Sequence, residues 1–163
     1  MKTLGITQSA IFFSLLGWIV FSLAVPIGPV YRVKAGKQEF LVELADTKEL
    51  QRRGLMNRES MPESHGLLMT FDYDRRVPIW MKNVLFPIDV AWLSSSGLVI
   101  DVKTLPVCNR APCKVYYPVR PARFVLEVGA GLFQLKRGDK VEIIDASGDS
   151  LLPPVSGAGK HSD

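Results

Sequence analysis

The chain has 163 residues, of which 47% are hydrophobic and 22% charged, so its length suits one globular domain with a substantial core and makes two ordinary domains unexpected. The formal net charge is +4, but acidic and basic residues are interspersed and no basic block occurs, which argues against a nucleic-acid-binding protein. The two histidines do not cluster, and this disfavours a zinc site, which needs four ligands.

The first 25 residues differ in composition from the rest of the chain. Lys2 is their only charged residue, and residues 10–25 form an almost unbroken apolar run. With the small-x-small pattern of Ser22-Leu23-Ala24, these features are typical of a secretory signal peptide over residues 1–24. An uncleaved signal anchor is the alternative, since the apolar segment approaches the ~20 residues that span a bilayer. Both interpretations place residue 30 onward outside the cytoplasm, in the periplasm or the extracellular space.

The first predicted elements are two strands, residues 31–35 and 38–44, joined as a hairpin at Gly36-Lys37. In the second strand, apolar side chains at alternate positions face one way, whereas Glu39 and Glu43 face the other. This period of two is typical of a strand with one buried and one exposed face.

A short helix is predicted over Thr47–Arg53. Asp46 stands three residues before Glu49, in a variant of the capping box, and two arginines in the last turn suit the negative end of the helix dipole. Gly54 follows them, and glycine is the residue that most often ends a helix.

The densest apolar run outside the N-terminus is residues 78–93, PIWMKNVLFPIDVAWL. It contains Lys82, Asn83 and Asp89, which must be paired or face water, because burying such groups unsatisfied costs several kcal/mol. We expect two strands joined by a turn, with these three side chains forming one polar cluster beside Trp80.

The remaining segments alternate between short strands and connections. Residues 105–121 contain four prolines and both cysteines, so they are predicted to form a long loop, since proline interrupts helices and central strands. Residues 130–136 are predicted to make one or two helical turns. Further strands are predicted at residues 67–71, 98–103, 122–128 and 140–144, with a loop at 57–66 and a charged turn at 72–76.

Seven or so short strands and one short helix predict a mainly β (α+β) fold. A small antiparallel barrel or sandwich is expected, with a meander as the simplest connection and the helix at an end or an edge. The predicted domain covers residues 30–145. A disordered tail is predicted over residues 146–163, because this segment is rich in glycine, serine and proline.

Cys108 and Cys113 are close together in a domain expected to be exported. An oxidising compartment would join two such thiols, so a disulfide is the favoured interpretation. A redox-active pair is a less favoured alternative, because the spacing is C-x4-C and only Arg110 and Lys114 are near enough in sequence to lower a thiol pKa.

Asp89 and Glu127 are carboxylates among apolar neighbours in predicted strands. Two carboxylates across one cleft would support acid–base chemistry of the glycosidase type. The alternative is that each pairs with a basic residue, such as Lys82 or Arg123, on a solvated strand face.

Other residue types give weaker indications of a site. Trp80 and Trp92 are more typical of a core than of a stacking platform, and His65 is more typical of a turn than of a catalyst. Lys82 and Asn83, inside an apolar run, are the least expected of the polar residues, which makes them the first candidates for a binding site.

Short motifs occur in order along the chain: GLMNR at residues 54–58, GLLMTF at 66–71, WMKNV at 80–84, PIDV at 87–90, LEVGAG at 126–131 and GD at 138–139. Their order and spacing resemble the domain of unknown function 192 family of bacteria and archaea, over residues 33 to about 144. The cysteine loop, PVCNRAPCKVYYP, also resembles that of many exported members. The resemblance implies a compact, largely β fold and frequent export, and it supplies no established activity.

The favoured function is an exported, non-enzymatic binding module for a small molecule, a glycan or an envelope component. No cofactor, metal or nucleic acid is expected, and a membrane would be contacted only through an uncleaved N-terminal segment. A hydrolase using Asp89 and Glu127, and a scaffold without a small ligand, are the alternatives. The candidate binding residues are Arg58, Trp80, Lys82, Asn83, Asp89 and Glu127.

Overall fold

The structure is a computed structural model that describes residues 30–152. Within these residues the chain forms nine strands and one short helix. They are β1 (Val30–Ala35), β2 (Gln38–Ala45), α1 (Lys48–Arg53), β3 (His65–Arg75), β4 (Ile79–Trp80), β5 (Ile88–Leu93), β6 (Val99–Leu105), β7 (Val115–Tyr116), β8 (Ala122–Gly129) and β9 (Val141–Ile144).

Seven of the strands form one sheet in the order β6-β5-β8-β3-β2-β1-β9, and β4 pairs with β7 separately. Every neighbouring pair is antiparallel except β2 and β3, which run parallel from Leu41 opposite His65 to Ala45 opposite Met69. A parallel pair requires a crossover connection, and residues 46–64 with α1 supply it. The simple meander predicted from the sequence is therefore wrong, whereas the mainly β fold with one short helix is confirmed.

The two outer edges of the sheet meet at one end. Leu98 forms a bridge with Lys140, and the backbone N–H of Val99 donates to the carbonyl of Asp139 at 2.8 Å. The N–H of Val141 donates to the carbonyl of Gly97 at 2.9 Å. The sheet therefore curls into a half-barrel whose edges are joined beside the turn that precedes β6.

Apolar side chains cover both faces of the sheet. On β8, Phe124, Leu126 and Val128 belong to the core inside the curl, while Val125 belongs to a second core on the outer face. The predicted alternation of β8 is confirmed, but its second face is not solvated, because α1 and the long loops cover it. Trp92 is fully buried in the outer core, as predicted, whereas the same prediction for Trp80 is wrong, because its side chain is 42% exposed.

The helix begins and ends close to the predicted residues. Thr47, not Asp46, is the N-cap residue, and its side-chain oxygen accepts from the N–H of Leu50 at 3.2 Å. Gly54 closes the helix by donating its N–H to the carbonyl of Leu50 at 2.8 Å. Among the described residues, no helix has the length and apolar character needed to cross a membrane.

Several predicted segments differ in the structure. β3 continues to Arg75, so the charged turn predicted at 72–76 is mostly strand, since this segment gains β8 as a partner. Residues 81–87 of the central run form turns, and the run is not a two-stranded hairpin. Residues 130–136 contain a turn and no helix, because their backbone N–H groups bind side chains of other elements.

The ordered structure continues past the predicted domain end at residue 145. Asp145 begins a turn, and the N–H of Leu151 donates to the carbonyl of Ile143 at 2.9 Å. Leu151 and Leu152 pack on the inner core, which explains why this part of the predicted tail is ordered. The predicted signal peptide and residues 153–163 lie outside the described residues.

Candidate functional site

A cleft of about 360 Å³ opens on the outer face of the sheet, between α1 and the segment that leads into β4. Its size falls in the range of small-molecule sites. Apolar side chains form much of its wall, and they are Leu55, Met69, Phe71, Val77, Ile79 and Trp80.

Glu127 forms the floor of this cleft. It projects from β8 toward the outer face and is only 3% exposed. A Cβ atom added at Gly54, the residue that ends α1, would lie 3.8 Å from Oε2 of Glu127. The absence of a side chain at Gly54 therefore leaves space beside the carboxyl group.

Three carboxylates are buried in the described part of the chain, and their surroundings differ. Asp101 is paired with Lys103 at 2.8 Å and Arg137 at 2.9 Å. Desolvation opposes ionisation of Asp101, but the hydrogen bonds from these two side chains outweigh it and lower its pKa. Glu127, by contrast, receives no hydrogen bond from any group in residues 30–152, and burial raises its pKa to about 7.

Arg58 lies near Glu127, but its guanidinium group binds the carboxylate of Glu43. Its guanidinium group makes two hydrogen bonds of 2.6 Å to the carboxylate of Glu43, and these bonds raise the pKa of Arg58 despite partial burial. Glu43, Leu67 and Glu127 are successive partners across β2, β3 and β8, which places both acids in one row. Arg58 therefore acts on Glu127 only by charge attraction, which lowers the pKa of Glu127 less than burial raises it.

The mouth of the cleft is basic. Four cationic side chains line it, whereas Glu127 is the one acidic residue in the lining that the structure describes. The guanidinium carbon of Arg75 lies 5.4 Å from the centre of the Phe71 ring. A ligand would meet positive charge first, then apolar walls, then a carboxyl group whose pKa burial raises to about 7. The four basic residues are Lys48, Arg52, Arg53 and Arg75.

Asp89 does not share the cleft with Glu127. Asp89 pairs with Val128 and Glu127 with Val90, so the two acids lie on opposite faces of adjacent strands. The carboxylate of Asp89 accepts from Oγ1 of Thr104 at 2.6 Å and from the backbone N–H groups of Gly131 at 2.8 Å and Phe133 at 3.1 Å. The two carboxylates therefore do not converge on one cleft, as the hydrolase alternative required. Nor does either acid pair with Lys82 or Arg123 on a solvated face, since both are buried, and Asp89 holds the loop after β8 in place.

The predicted cluster of Lys82, Asn83 and Asp89 is also not found. Lys82 does lie beside Trp80, with its Nζ 5.3 Å from the ring centre, and both side chains are exposed. Asn83 adopts a φ of 57°, and its carbonyl accepts from the N–H of Asn57 at 2.7 Å. Trp80 and Glu127 thus line the cleft, whereas Lys82 and Asn83 line a neighbouring groove behind Trp80.

The basic mouth was not among the residues proposed from the sequence. Its members come from α1 and from the end of β3, which are brought together only by the crossover between β2 and β3. Gly54 gave a local signal, because it is the first residue of the GLMNR motif and also ends the helix.

No group of three or more metal-ligating side chains occurs among residues 30–152.

The cysteines are joined as predicted. Cys108 and Cys113 form a disulfide within the long loop that precedes β7, and their Cα atoms are 5.7 Å apart. The loop borders the groove behind Trp80, so the disulfide lies next to the candidate binding surfaces.

Comparisons with known proteins agree with the motifs. The chain is 33% identical over 128 residues to a UPF0127 protein of Thermococcus gammatolerans, covering 74% of this chain and 79% of that protein. Two solved structures match with a TM-score of 0.62: a candidate transcription regulator of Sinorhizobium meliloti 1021 and a protein of unknown function from Novosphingobium aromaticivorans. They are 28% and 26% identical, covering 70% and 69% of this chain and 92% and 83% of theirs. The model of the DUF192 family, described as "Uncharacterized ACR", matches residues 31–143, and the chain therefore belongs to this family.

Proposed function

We propose that this protein is a binding module that acts outside the cytoplasm and takes a small amphipathic anion into the Glu127 cleft. The observation that carries the proposal is the order of chemistry along the cleft, from a cationic mouth through apolar walls to Glu127, whose carboxyl group opens onto the cleft and has no hydrogen-bond partner among residues 30–152. A ligand with an anionic head, an apolar body and a hydroxyl group at its far end would satisfy all three.

Each part of such a ligand has a counterpart in the cleft. The head group would lie beside Arg52 and Arg53, whose guanidinium groups bind carboxylates well. The apolar body would contact Met69 and Phe71 and release ordered water from them. The far hydroxyl group would exchange a hydrogen bond with Glu127, which lacks a partner in the described residues.

Binding is favoured over hydrolysis because of the side chains in the lining. Within the described residues, the cleft contains Glu127 but no serine, threonine, cysteine, histidine or second carboxylate. Glu127 could activate a water molecule as a general base, but hydrolysis of the glycosidase type also needs a second carboxyl group beside the scissile bond. The described lining of the cleft offers recognition groups and lacks that second carboxyl group.

The disulfide supports a location outside the cytoplasm. Bonds between cysteines persist in oxidising compartments and are rare where glutathione keeps thiols reduced. The signal-like pattern of residues 1–24 points in the same direction.

The test compares three probes with the same chain length: ω-hydroxyoctanoate, octanoate and octanol. Isothermal titration at pH 6, where Glu127 is largely protonated, should give affinities in that order. The double variant Arg52→Ser, Arg53→Ser should weaken binding of both anions about tenfold and leave octanol unchanged. The double variant Lys34→Ser, Lys37→Ser removes the same charge away from the cleft and serves as the control.

A second variant tests the position of the site. Gly54→Ala adds a methyl group 3.4 Å from Cε of Met69 and 3.8 Å from Glu127, so it should reduce binding of every probe. Gly36→Ala is the matched control, because Gly36 also has a positive φ but has no atom within 4 Å of the added Cβ. Equal binding by the two glycine variants, or no saturable binding of any probe, would exclude the cleft as the site.

A further inference from the structure

A second depression, of about 500 Å³, lies on the other side of Trp80 and is not part of the Glu127 cleft. We call it the disulfide groove, because its far wall is the loop closed by Cys108 and Cys113. The two depressions have Trp80 in common, and their other lining residues differ.

The groove offers three kinds of contact. Trp80 is 42% exposed, which is unusual for a side chain of that size next to a cavity. Asn83 and Asn109 are exposed amides, each able to donate and to accept hydrogen bonds. Lys82 and Arg110 supply positive charge, and none of the lining residues in the described chain is acidic.

The arrangement is held in place before any ligand arrives. Trp80 pairs with Val115 in the small β4–β7 sheet, and the disulfide closes the loop between Cys108 and Cys113. A wall of this kind loses little conformational entropy on binding, so its contacts contribute more of their free energy to affinity.

We propose that the disulfide groove binds an acidic saccharide, that is, a sugar carrying a carboxylate. The C–H face of a pyranose ring is apolar and packs against the electron-rich face of an indole ring. Ring hydroxyl groups both donate and accept, which suits the amides of Asn83 and Asn109. Because Nζ of Lys82 lies 5.3 Å from the centre of the Trp80 ring, a carboxylate on a sugar against that ring would meet the ammonium group.

Both the charge and the hydroxyl groups of the ligand enter this assignment. A neutral sugar would leave Lys82 and Arg110 unpaired, and an anion without hydroxyl groups would leave the two amides unused. The proposal does not depend on the Glu127 cleft, since only Trp80 is common to both sites.

The experiment uses the folded, disulfide-bonded protein and three probes: trigalacturonate, maltotriose and triglutamate. Isothermal titration at low and at physiological salt should give saturable binding of trigalacturonate, at least about tenfold tighter than binding of either other probe. Binding should weaken with salt, because the charged contacts are exposed.

Variants locate the binding. The double variant Lys82→Met, Arg110→Met should weaken trigalacturonate binding by about tenfold, and Trp80→Ala should weaken it by a similar factor. The double variant Lys34→Met, Lys37→Met changes the net charge equally and should stay within about twofold of the unaltered protein. Gly54→Ala, which places a methyl group in the Glu127 cleft, should leave trigalacturonate binding unchanged, so failure of one site is distinguishable from failure of the other.

Three results would overturn the proposal. They are an absence of saturable trigalacturonate binding to the folded protein, equal affinity for triglutamate, and equal trigalacturonate affinity of the Lys82→Met, Arg110→Met variant and the Lys34→Met, Lys37→Met variant. The second result would identify a general anion-binding patch without sugar recognition. Because Lys82 and Arg110 are exposed, their variants should fold even if Trp80→Ala does not.

Discussion

Glu127 is the residue whose charge the fold accommodates least well. Its carboxyl group is buried, receives no hydrogen bond from the described residues, and is attracted only by an arginine already bound to Glu43. Burial therefore raises its pKa from 4.5 to about 7. Perturbed carboxyl groups of this kind concentrate at functional sites, and here the group opens onto the cleft.

The raised pKa predicts how stability depends on pH. In the unfolded chain Glu127 loses its proton near pH 4.5, whereas in the folded protein it keeps the proton to about pH 7, so the folded state binds more protons between these values. Its contribution to the free energy of unfolding is fully present below pH 4.5 and is lost as the pH rises to about 7. The loss should be on the order of 3 kcal/mol.

The variant Glu127→Gln isolates this effect from other titrating groups. Urea midpoints measured at pH 5 and pH 8 should differ less for Glu127→Gln than for the unaltered protein, since glutamine does not ionise. The same difference between the two pH values in both proteins would show that Glu127 ionises normally.

Asp89 is predicted to act on stability alone. Asp89→Ala removes the acceptor of the backbone N–H groups of Gly131 and Phe133, and should cost about 1–3 kcal/mol. Lys82→Met should change the free energy of unfolding by less than about 0.5 kcal/mol, because Lys82 is exposed. In the double variant, the change in the free energy of unfolding obtained from urea titration should equal the sum of the two single changes. A coupling above about 0.5 kcal/mol would instead support the predicted cluster of Lys82, Asn83 and Asp89.

The sequence shows that Asp89 and Glu127 are unusual, but not what each one contacts. Both interrupt apolar strands, and alternation gives the face of each within its own strand. Whether the two faces are the same depends on how β5 and β8 pair, and that register joins residues about forty positions apart. The partners of Asp89 are backbone groups, which carry no sequence signature.

At the scale of elements, the features set by neighbouring residues were predictable. The hairpin at Gly36-Lys37, the helix ending at Gly54 and the Cys108–Cys113 bond each depend on groups within a few positions. The full length of β3 was not predictable. Its last residues pair with β8 across an irregularity between Thr70 and Arg75, and a charged segment reads as a turn until that partner is known.

The disulfide is predicted to stabilise the loop that carries the groove. It closes a short loop, so replacing both cysteines by serine should cost about 2 kcal/mol of unfolding free energy. Hydrogen exchange should rise at Val115 and Tyr116, which pair with β4, and stay unchanged in β8, which is an inner strand of the large sheet between β5 and β3. Unchanged exchange at Val115 and Tyr116 would mean that the β4–β7 pairing holds without the bond.

At the scale of the whole molecule, the order of the strands in the sheet could not be predicted from the sequence pattern. Alternation identifies strands with buried faces, and the mainly β fold follows from their number. Neighbours are decided by packing between distant segments, and here β8 lies between β5 and β3 while β2 runs parallel to β3. The basic mouth of the cleft depends on that crossover, which is why its residues were missed.

The junction between the sheet edges is predicted to depend on Gly97. It has a φ of 79°, and a Cβ atom there would lie 2.3 Å from the carbonyl oxygen of Val141, a partner across the junction. Gly97→Ala should therefore cost more than about 3 kcal/mol, through both steric conflict and backbone strain. Gly148→Ala, at a φ of 95° with no atom near the added Cβ, should cost only about 1 kcal/mol. Equal urea midpoints for the two variants would show that the backbone at the junction shifts to accommodate the added methyl group.

The position of β8 between β5 and β3 has a consequence for synthesis. A nascent chain that ends before residue 122 contains β1, β2 and β3 as one unit and β5 with β6 as another, and the strand that joins the two units has not yet been made. Domains emerge from the ribosome at about 5–20 residues per second, so the N-terminal segment is available for several seconds before the sheet can close. For a protein proposed to leave the cytoplasm, this order keeps the chain open to translocation until its penultimate strand has emerged.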